Sequence, residues 1–259
     1  MISSEHVEEL RIARHKLTNL SFPIRLMNLI GKPVEFGITV LPVYAQTKIH
    51  SAVSLSLKKA IGIVNKTVPR KKGFFTSSRL DKAAAILSGG TGGFFGLAGL
   101  SIELPVSTAI MLRSIINIAQ TNDIDVTSPE GKLNCLEIFA LGGGSALKPD
   151  ENSYYATRAM LAKTLEESAK YIVRRGLVEE GAPPIAKFMA RVASRFGVTV
   201  SDKIAVEMIP VIGAVTGASI NLIFINHFIQ MAEGHFTVKR LEALYGFEEV
   251  KDYYALLGS

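Results

Sequence analysis

Residues 89–113 hold the stretch of sequence that decides the fold, GGTGGFFGLAGLSIELPVSTAIMLR. The stretch belongs to an apolar run, 83–112, in which Glu103 is the one charged residue. A second run, 208–232, contains no Asp, Glu, Lys or Arg and directly follows Glu207. Each run is long enough to cross a bilayer, but prolines and glycines interrupt both, so neither is typical of a simple spanning helix. We expect two long Gly-rich apolar segments that are helical and hairpin-like.

The rest of the chain also favours helices. Apolar residues recur at spacings of three and four, and no repeated period-2 alternation indicates a sheet. Hydrophobic residues make up 48% of the 259 positions, and the mean hydropathy of +0.28 is high for an ordinary soluble domain. We therefore predict an all-α multi-helix bundle. The single Cys135, expected in the core, excludes an intramolecular disulfide, and no secretory signal is recognisable, so we expect an intracellular protein.

Capping residues predict where several helices begin and end. Ser128-Pro129-Glu130 combines an N-cap, a proline at the first helical position and an early acid. Gly142 and Gly176 are expected just past helix ends. The expected helices are 3–20, 48–68, 105–120, 129–141, 153–175 and 183–196, followed by a segment capped by Ser201, the second apolar run ending at Gly234, and a short helix from Thr237 to Tyr245.

Basic residues are concentrated between residues 36 and 80, where the sequence contains no Asp or Glu. A break at 69–73 predicts a domain boundary, which divides the chain into a basic amphipathic N-terminal helical region, 1–78, and a helical core, 79–259. The lysines alternate with aliphatic residues, which favours an anionic membrane surface or lipid as partner. Nucleic acid is not an expected partner, because aromatic residues for stacking are few and no recognition motif is present. The expected membrane-surface residues are Lys48, Lys58, Lys59, Lys66, Arg70, Lys71 and Lys72.

Residues 48–68 form the clearest amphipathic pattern. One apolar stripe recurs every three or four residues and consists of Ile49, Val53, Leu57, Ile61, Val64 and Val68. Two interpretations stay open. The segment is either an ordinary surface helix packed on a core, or a helix that lies on a membrane.

Carboxylates beside the apolar runs are the first candidates for a functional site, because a carboxylate in apolar surroundings must be paired, hydrogen-bonded or neutral. Glu103 precedes a proline, so a helix N-terminus is expected to stabilise it, and Arg113 is a partner of suitable charge. Glu207 follows Lys203 by four residues, the spacing of an ordinary helical ion pair. Both acids are interpreted either as capping or buried-pair residues or as a ligand, proton or metal site.

The second apolar run also carries amides and histidines. Buried amides need partners, so they either join helices or line a cavity. His227 and His235 are eight residues apart, which is not a zinc-binding helical spacing, and we interpret both as structural. We expect no metal, no cofactor and no assigned catalytic residue. The candidate ligand-binding or buried polar residues are Glu103, Arg113, Glu207, Asn221, Asn226, His227 and His235.

Three long strings resemble the EcsC family of bacteria. They are GGTGGFFGLAGLSIELPVSTAIMLRSIINIAQ, SPEGKLNCLEIFALGG and RFGVTVSDKIAVEMIPVIGAVTGASINLIFINHFIQMAEGHFTVKRLEALYG. The resemblance covers about residues 80–246, with a weaker correspondence around Gly31-Lys32-Pro33. The family takes its name from a protein encoded beside the ATPase and membrane subunits of an ABC transporter. The resemblance therefore implies an accessory role and membrane transporter subunits as partners, but it carries no catalytic residues to this chain, which also lacks an ATPase motif.

These observations lead to a cytoplasmic, non-enzymatic protein that is peripherally associated with the membrane and in contact with lipid. One alternative is a soluble binder of a hydrophobic ligand, with a pocket closed by Glu103 or Arg113. Another is a metal-dependent hydrolase that uses Glu103, Glu207 and His235. Insertion as an integral protein is a further alternative, against which the polar groups inside the apolar runs count, because they are costly at mid-membrane depth.

Overall fold

The computed structural model is helical in every element that it describes. It describes residues 2–18, 22–23, 25–26, 41–66, 97, 99–143, 153–176, 178–179, 181–208 and 214–258. Within those ranges eight helices pack around one apolar core and no strand is present, so the prediction of an all-α multi-helix bundle is confirmed. The helices are α1 (Ser4–Thr18), α2 (Val43–Asn65), α3 (Leu100–Thr121), α4 (Pro129–Leu141), α5 (Ser153–Arg175), α6 (Pro183–Glu207), α7 (Ala214–Tyr245) and α8 (Phe247–Leu256).

Several helix ends lie where their capping residues predict them. The Ser128 hydroxyl accepts a hydrogen bond from the backbone N–H of Gly131 at 3.0 Å, and Pro129 is the first residue of α4. Two prolines open α6. Gly176 follows α5 with a φ of +83°, in the left-handed region that glycine adopts without strain. The predicted starts of α4 and α6 and the predicted end of α5 are confirmed.

The amphipathic segment is α2, and it begins at Val43 rather than at the predicted residue 48. Pro42 stands directly before it, in a position that needs no backbone N–H. The predicted apolar stripe faces the core, since all of its described members are buried: Ile49, Val53, Leu57, Ile61 and Val64. Val68 lies outside the described residues.

The predicted start of a helix at Pro105 is wrong, because α3 begins at Leu100 and runs through the proline. Pro105 lies in the second turn, where its missing N–H removes one bond, to the carbonyl of Ser101. Glu103 lies in the first turn, beside the positive end of the helix dipole.

Gly197 and Ser201 were expected to separate two segments, but α6 continues through both of them to Glu207. The Ser201 hydroxyl donates a hydrogen bond to the carbonyl of Gly197 at 2.8 Å instead of capping a new helix. A single glycine inside a helix costs only about 1 kcal/mol relative to alanine, which packing against neighbouring helices easily offsets.

Gly234 likewise lies inside α7, which continues to Tyr245, so the predicted cap at Thr237 is wrong. A Cβ atom on Gly234 would lie 2.7 Å from Cγ of Leu17 and 2.8 Å from the carbonyl oxygen of Ala13. The glycine therefore serves the close approach of α1 to α7. Gly246, with a φ of +93°, ends α7 and is followed by α8, a helix that the sequence patterns did not predict.

Phenylalanine rings join α4, α6 and α7 in the middle of the bundle. The ring centroids of Phe139 and Phe196 are 5.0 Å apart, those of Phe196 and Phe228 are 5.4 Å apart, and those of Phe224 and Phe228 are 5.2 Å apart. All four rings are buried. Aromatic pairs at such distances add about 0.5–1.5 kcal/mol each beyond the burial of their area, so this cluster fixes how the three helices sit together.

Polar contacts attach α1 along the length of α7. His6 Nδ1 lies 2.7 Å from the hydroxyl of Tyr245, and Lys16 Nζ lies 2.9 Å from a carboxylate oxygen of Glu233. Between them, Arg240 donates a hydrogen bond to the carboxylate of Glu9. These contacts flank the close approach at Gly234 and hold the first described helix against one more than two hundred residues later.

The helices α2 and α6 pack against each other in opposite directions. Asn65, the last residue of α2, exchanges two hydrogen bonds with the backbone of Val178, just before α6, at 2.9 and 3.0 Å. The first turn of α3 meets the last turns of α6, because Lys203 binds Glu103. The starts of α2 and α3 and the end of α6 therefore lie at the same end of the bundle, which we call the Glu207 end.

Two expectations fall on residues outside the described ranges. They are the domain boundary at 78/79 and most of the first Gly-rich run, 83–96; residues 209–213 of the second run lie outside as well. Helices from both sides of the expected boundary pack together, α2 against α3 and α6, and α1 against α7.

Of the described helices, α3 is the one that is long and apolar enough to cross a membrane. Its most apolar window has a mean hydropathy of 1.4, and 61% of that window is buried inside the protein. The core helix of a soluble protein has the same length and composition, so this feature is weak support for a membrane span.

Candidate functional site: a buried ionic cluster

Three charged side chains meet in the core at the Glu207 end. Lys203 Nζ donates a hydrogen bond to Oε1 of Glu103 and lies 3.5 Å from Oε1 of Glu207. The exposed fraction of the side chain is 0% for Lys203, 3% for Glu103 and 4% for Glu207. We call these three residues the ionic cluster. It is the arrangement in the described part of the chain that brings together both carboxylates predicted from the sequence.

Helix geometry places each member of the ionic cluster. Lys203 and Glu207 are four residues apart on α6 and therefore share one face. Glu103 lies in the first turn of α3, where the helix dipole favours a negative charge. Removing such charges from water costs several kcal/mol for each ion, and only close pairing and hydrogen bonds offset that cost.

The described side chains that contact the ionic cluster from α7 are apolar or neutral. The ring centroid of Phe224 on α7 lies 5.2 Å from Lys203 Nζ, so the ammonium stacks on an aromatic face. One turn further along α3, the buried Ser107 hydroxyl donates to Oδ1 of Asn221 at 3.5 Å. Asn221 thus links α7 to α3, which is one of the two roles predicted for it.

The ionic cluster holds two carboxylates for one ammonium. Burial lowers the pKa of Lys203, but the charges of Glu207 and Glu103 outweigh burial and raise this pKa above its ordinary value. Burial raises the pKa of Glu207, and Lys203 offsets this effect only in part. Lys203 therefore stays charged, and Glu207 is the group that favours taking up a proton.

Arg113 does not belong to the cluster, so the expected pairing of Arg113 with Glu103 is wrong. Arg113 is exposed on α3, and the cation that reaches Glu103 is Lys203, which lies 100 residues later in the chain. The spacing of Lys203 and Glu207 alone indicates an ordinary helical ion pair. Apolar residues follow Lys203 at 204–206, but Ser201 and Asp202 precede it, so the local sequence does not mark it as buried.

A second buried polar network joins α4, α5 and α7. The hydroxyl of Tyr154 lies 3.0 Å from Nδ1 of His235, and Nε2 of His235 lies 3.9 Å from a carboxylate oxygen of Glu137. Arg158 donates to the Tyr154 oxygen at 3.3 Å and makes two hydrogen bonds to Glu242, at 2.6 and 2.8 Å. Since Arg158 already donates to that oxygen, we assign the hydroxyl proton to the bond with His235, whose Nε2 then carries hydrogen and faces Glu137.

Burial dominates the protonation of this second network. It raises the pKa of Glu137 to about 7, although the charge of Arg158 acts in the opposite direction. It also lowers the pKa of His235 well below its ordinary value, so this histidine is neutral. The network is closed to solvent, since Tyr154, His235 and Glu137 are all buried.

His227 belongs to a third arrangement, at the end of α4. Its Nε2 donates to the carbonyl oxygen of Gly142 at 2.7 Å, and the Thr199 hydroxyl donates to the same oxygen at 3.1 Å. Arg195 Nε donates to the carbonyl of Ala140 at 2.7 Å. Burial lowers the pKa of His227 to about 4, so the ring is neutral. Side chains from α6 and α7 thus satisfy the last carbonyls of a buried helix end.

The residues required by the hydrolase alternative are not assembled into one site. The structure places Glu103 and Glu207 around Lys203, whereas His235 contacts Tyr154. Asn226 is half-buried on α7. In the described ranges, no three His, Cys, Asp or Glu side chains are grouped so that they could hold a metal ion.

Comparison with known protein families finds one that matches most of the chain. Residues 4–241 match the EcsC protein family. The chain belongs to the EcsC family. The match begins in α1 and includes α2, so it extends beyond residues 80–246, which the long sequence strings cover, and beyond the weaker correspondence around Gly31-Lys32-Pro33. No curated protein and no solved structure matches the chain.

This EcsC-family chain has a groove of about 630 Å³ between α2 and α6. The α6 side of the groove is lined mostly by small residues, and the α2 side by apolar residues together with His50 and Lys58. None of the described residues that line the groove is acidic. The pocket expected to be closed by Glu103 or Arg113 is therefore not this groove, because neither residue lines it.

Four of the predicted membrane-surface lysines are exposed here: Lys48, Lys58 and Lys59 on α2, and Lys66 directly after its last residue. Lys48, Lys59 and Lys66 follow each other at intervals of about three and two helical turns, so they line one edge of the exposed face. No Asp or Glu occurs anywhere in α2. Arg70, Lys71 and Lys72 lie outside the described residues.

Large apolar side chains are exposed at the Glu207 end of the EcsC-family fold, where α2 begins and where Lys48 is the nearest of these lysines. Val43 and Tyr44 at the start of α2 are 76% and 59% exposed, and Ile102 in the first turn of α3 is 75% exposed. Val106, one turn after Ile102, and Met208 after α6 are exposed as well. An exposed apolar group next to a cationic face is typical of proteins that bind membrane surfaces.

Proposed function

We propose that this EcsC-family chain is a non-enzymatic accessory protein that associates peripherally with anionic membranes on the cytoplasmic side. The observation that carries the proposal is the exposed face of α2, which bears lysines, no acid and exposed apolar side chains. Membrane transporter subunits are a further proposed partner, and this part rests on the family resemblance alone.

The charge of α2 is sufficient for reversible membrane attraction. A lysine near an anionic surface contributes about 1 kcal/mol. The three aligned residues, Lys48, Lys59 and Lys66, therefore supply about 3 kcal/mol together. Because every 1.4 kcal/mol corresponds to a factor of ten, this equals roughly a 100-fold change in affinity. Salt shortens the reach of these charges, so binding is expected to weaken as ionic strength rises.

The test is sedimentation with vesicles of neutral lipid and with vesicles that contain an anionic lipid. We expect the chain to bind the anionic vesicles, and Lys48→Gln, Lys59→Gln and Lys66→Gln together to lower that affinity about 100-fold. These side chains are exposed, so the variant is expected to fold normally.

The matched control replaces three exposed lysines on other helices, Lys163, Lys187 and Lys251, by glutamine. It changes the net charge equally but leaves α2 intact, so vesicle binding should decrease much less. Equal losses in the two triple variants would show that net charge, and not the α2 face, controls binding. No binding to anionic vesicles at all would contradict the proposal.

The α2–α6 groove supports a second candidate function, the binding of one lipid acyl chain by the soluble protein. Its described lining is largely apolar and includes Lys58 and His50 but no acidic residue, which suits an acyl chain with an anionic headgroup. This candidate predicts anionic lipid that stays with the chain, at one lipid per protein, after separation from vesicles. Protein that retains no lipid but still sediments with vesicles favours surface association.

A further inference from the structure

The ionic cluster contains one more carboxylate than it has cations. Glu103 and Glu207 both face Lys203, and the three side chains are almost completely buried. If both carboxylates were ionised, a net negative charge would remain in the apolar core. The cost of one uncompensated buried charge is several kcal/mol, so the protein must neutralise it.

Glu207 is the member that is held less well. Glu103 receives the close hydrogen bond from Lys203, whereas Glu207 lies at the longer distance of 3.5 Å. The other carboxylate oxygen of Glu207, Oε2, is buried and has no hydrogen-bond partner in the described part of the chain. A buried carboxylate oxygen without a donor is unstable when ionised and much less so when it carries a proton.

We propose that the ionic cluster is a proton-binding site: Glu207 holds one proton at neutral pH, and the neutral cluster latches the end of α6 to the start of α3. The proton makes the site electrically neutral, with Glu103 and Lys203 as its ionised pair. Release of the proton places a negative charge against Glu103 and weakens this attachment. The inference stands apart from membrane binding, since it concerns only the core.

In the described ranges, no charged group other than Lys203 compensates Glu207. Lys203 and Glu103 are the charged groups that act on its carboxyl. The described residues that face the cluster from α7 are the ring of Phe224 and the neutral Asn221. Asp202 is also buried and directly precedes Lys203. Successive residues of a helix are rotated by about 100° about its axis, so the side chain of Asp202 points in a different direction from that of Lys203.

Burial raises the pKa of Glu207 in the folded protein, and Lys203 offsets this only in part. The sign of the pH dependence follows from this direction. The proton stabilises the fold at low pH, and this stabilisation is lost as the pH rises through the folded pKa of Glu207. Stability that increases with pH would instead require a lowered pKa for Glu207.

The test compares Glu207→Gln with the parent chain by infrared difference spectroscopy at neutral pH. Glutamine is close in shape to a protonated glutamate, and it leaves Glu103 and Lys203 as a neutral pair. Both proteins carry Glu137→Gln, because Glu137 also has a raised pKa, of about 7, and would titrate in the same range. We expect the C=O band of a protonated carboxyl in the parent and its loss in the Glu207→Gln variant.

The control is Glu166→Gln, which removes an exposed carboxylate from a surface pair and should leave the carboxyl band unchanged. A second measurement follows the thermal midpoint from acidic to alkaline pH. As the pH rises, the thermal midpoint of the parent is expected to fall by roughly 2–4 °C or more relative to that of the Glu207→Gln variant.

The proposal is overturned if the Glu207→Gln variant retains the full carboxyl band, or if the two midpoints stay parallel at all pH values. Should Glu207→Gln not fold, the band of the Glu137→Gln parent is titrated instead. A band that disappears as the pH rises supports the proposal, and the absence of any protonated carboxyl at neutral pH contradicts it. Vesicle binding is not part of this readout, so failure here and failure of the proposed function are distinguishable.

Discussion

At the scale of single residues, Lys203 is the group that allows two carboxyl groups to be buried at the Glu207 end. Its ammonium is completely buried between Glu103 and Glu207 and lies against the ring of Phe224. Buried ion pairs add little net stability compared with apolar residues of the same size. Loss of one partner is different, because the remaining charges have no compensation.

Lys203→Met is therefore expected to lower the free energy of unfolding at neutral pH by about 3–5 kcal/mol, measured by urea denaturation. Adding Glu103→Gln and Glu207→Gln to this variant removes the stranded charge of Glu103 and the second buried carboxyl group, and should restore most of the loss. The control, Lys170→Met, breaks an exposed pair with Glu166 and should cost less than about 1 kcal/mol. Similar losses for the two lysine variants would mean that burial at Lys203 has no special importance.

The same residue shows what the sequence could and could not predict about the site. The two carboxylates were identifiable because acids are rare beside long apolar runs. Their partner was not, because Lys203 and Glu207 have the spacing of any surface pair on a helix. Only the packing of α6 against α3 distinguishes the buried arrangement, and no local pattern contains that information.

At the scale of helices, glycine and proline are the residues whose role depends on tertiary packing. Ser128 and Gly176 end or begin helices as their local chemistry predicts. Pro105, Gly197 and Gly234 resemble helix ends in the sequence but lie inside α3, α6 and α7. The energies that distinguish these outcomes, about 1 kcal/mol for a glycine, are smaller than the energy gained by packing a helix.

Gly197 and Gly234 offer a direct comparison, since both lie inside helices but in different surroundings. A Cβ atom at Gly234 would lie 2.7 Å from Leu17 and 2.8 Å from the Ala13 carbonyl, whereas no atom lies within 4 Å of one at Gly197. We expect Gly234→Ala to lower the free energy of unfolding by about 1–3 kcal/mol because α1 must move away. Gly197→Ala should raise it by up to about 1 kcal/mol, because alanine favours the helix.

Thermal or urea unfolding of the two alanine variants measures this difference. Each variant is the control for the other, because the chemical change is identical. If both were stabilised, the close packing of α1 on α7 would not exist in solution.

At the scale of the whole molecule, the exposed lysines lie along α2, and the exposed apolar side chains lie at the end of the bundle where α2 begins. Lys48 and its aligned partners lie on α2, and the exposed Val43, Tyr44 and Ile102 lie at the Glu207 end, where α2 begins. Under the proposed function, the lysines attract the chain to the headgroups and the apolar side chains enter the layer beneath them.

Val43→Ser together with Ile102→Ser is therefore expected to weaken binding to anionic vesicles at least about tenfold, since burying such a side chain contributes about 1.5–3 kcal/mol. We expect this double variant to lose the component of vesicle binding that persists at high salt, because that component comes from apolar contacts and not from charge. The control, Val173→Ser with Leu244→Ser, alters side chains of similar exposure on α5 and α7. If the control pair weakened binding as much, the Glu207 end would not be the contact surface.

The attachment of α1 to α7 has a consequence for biosynthesis. His6 and Tyr245, which meet in the finished protein, are separated by 239 positions. At a translation rate of about 5–20 residues per second, α1 leaves the ribosome roughly 10–50 seconds before its binding surface exists. During that interval Leu10, Ala13 and Leu17, which are later buried, have no α7 to cover them. Exposed apolar surface on a nascent chain is prone to aggregation, so the first helix is the segment that a chaperone would have to shield.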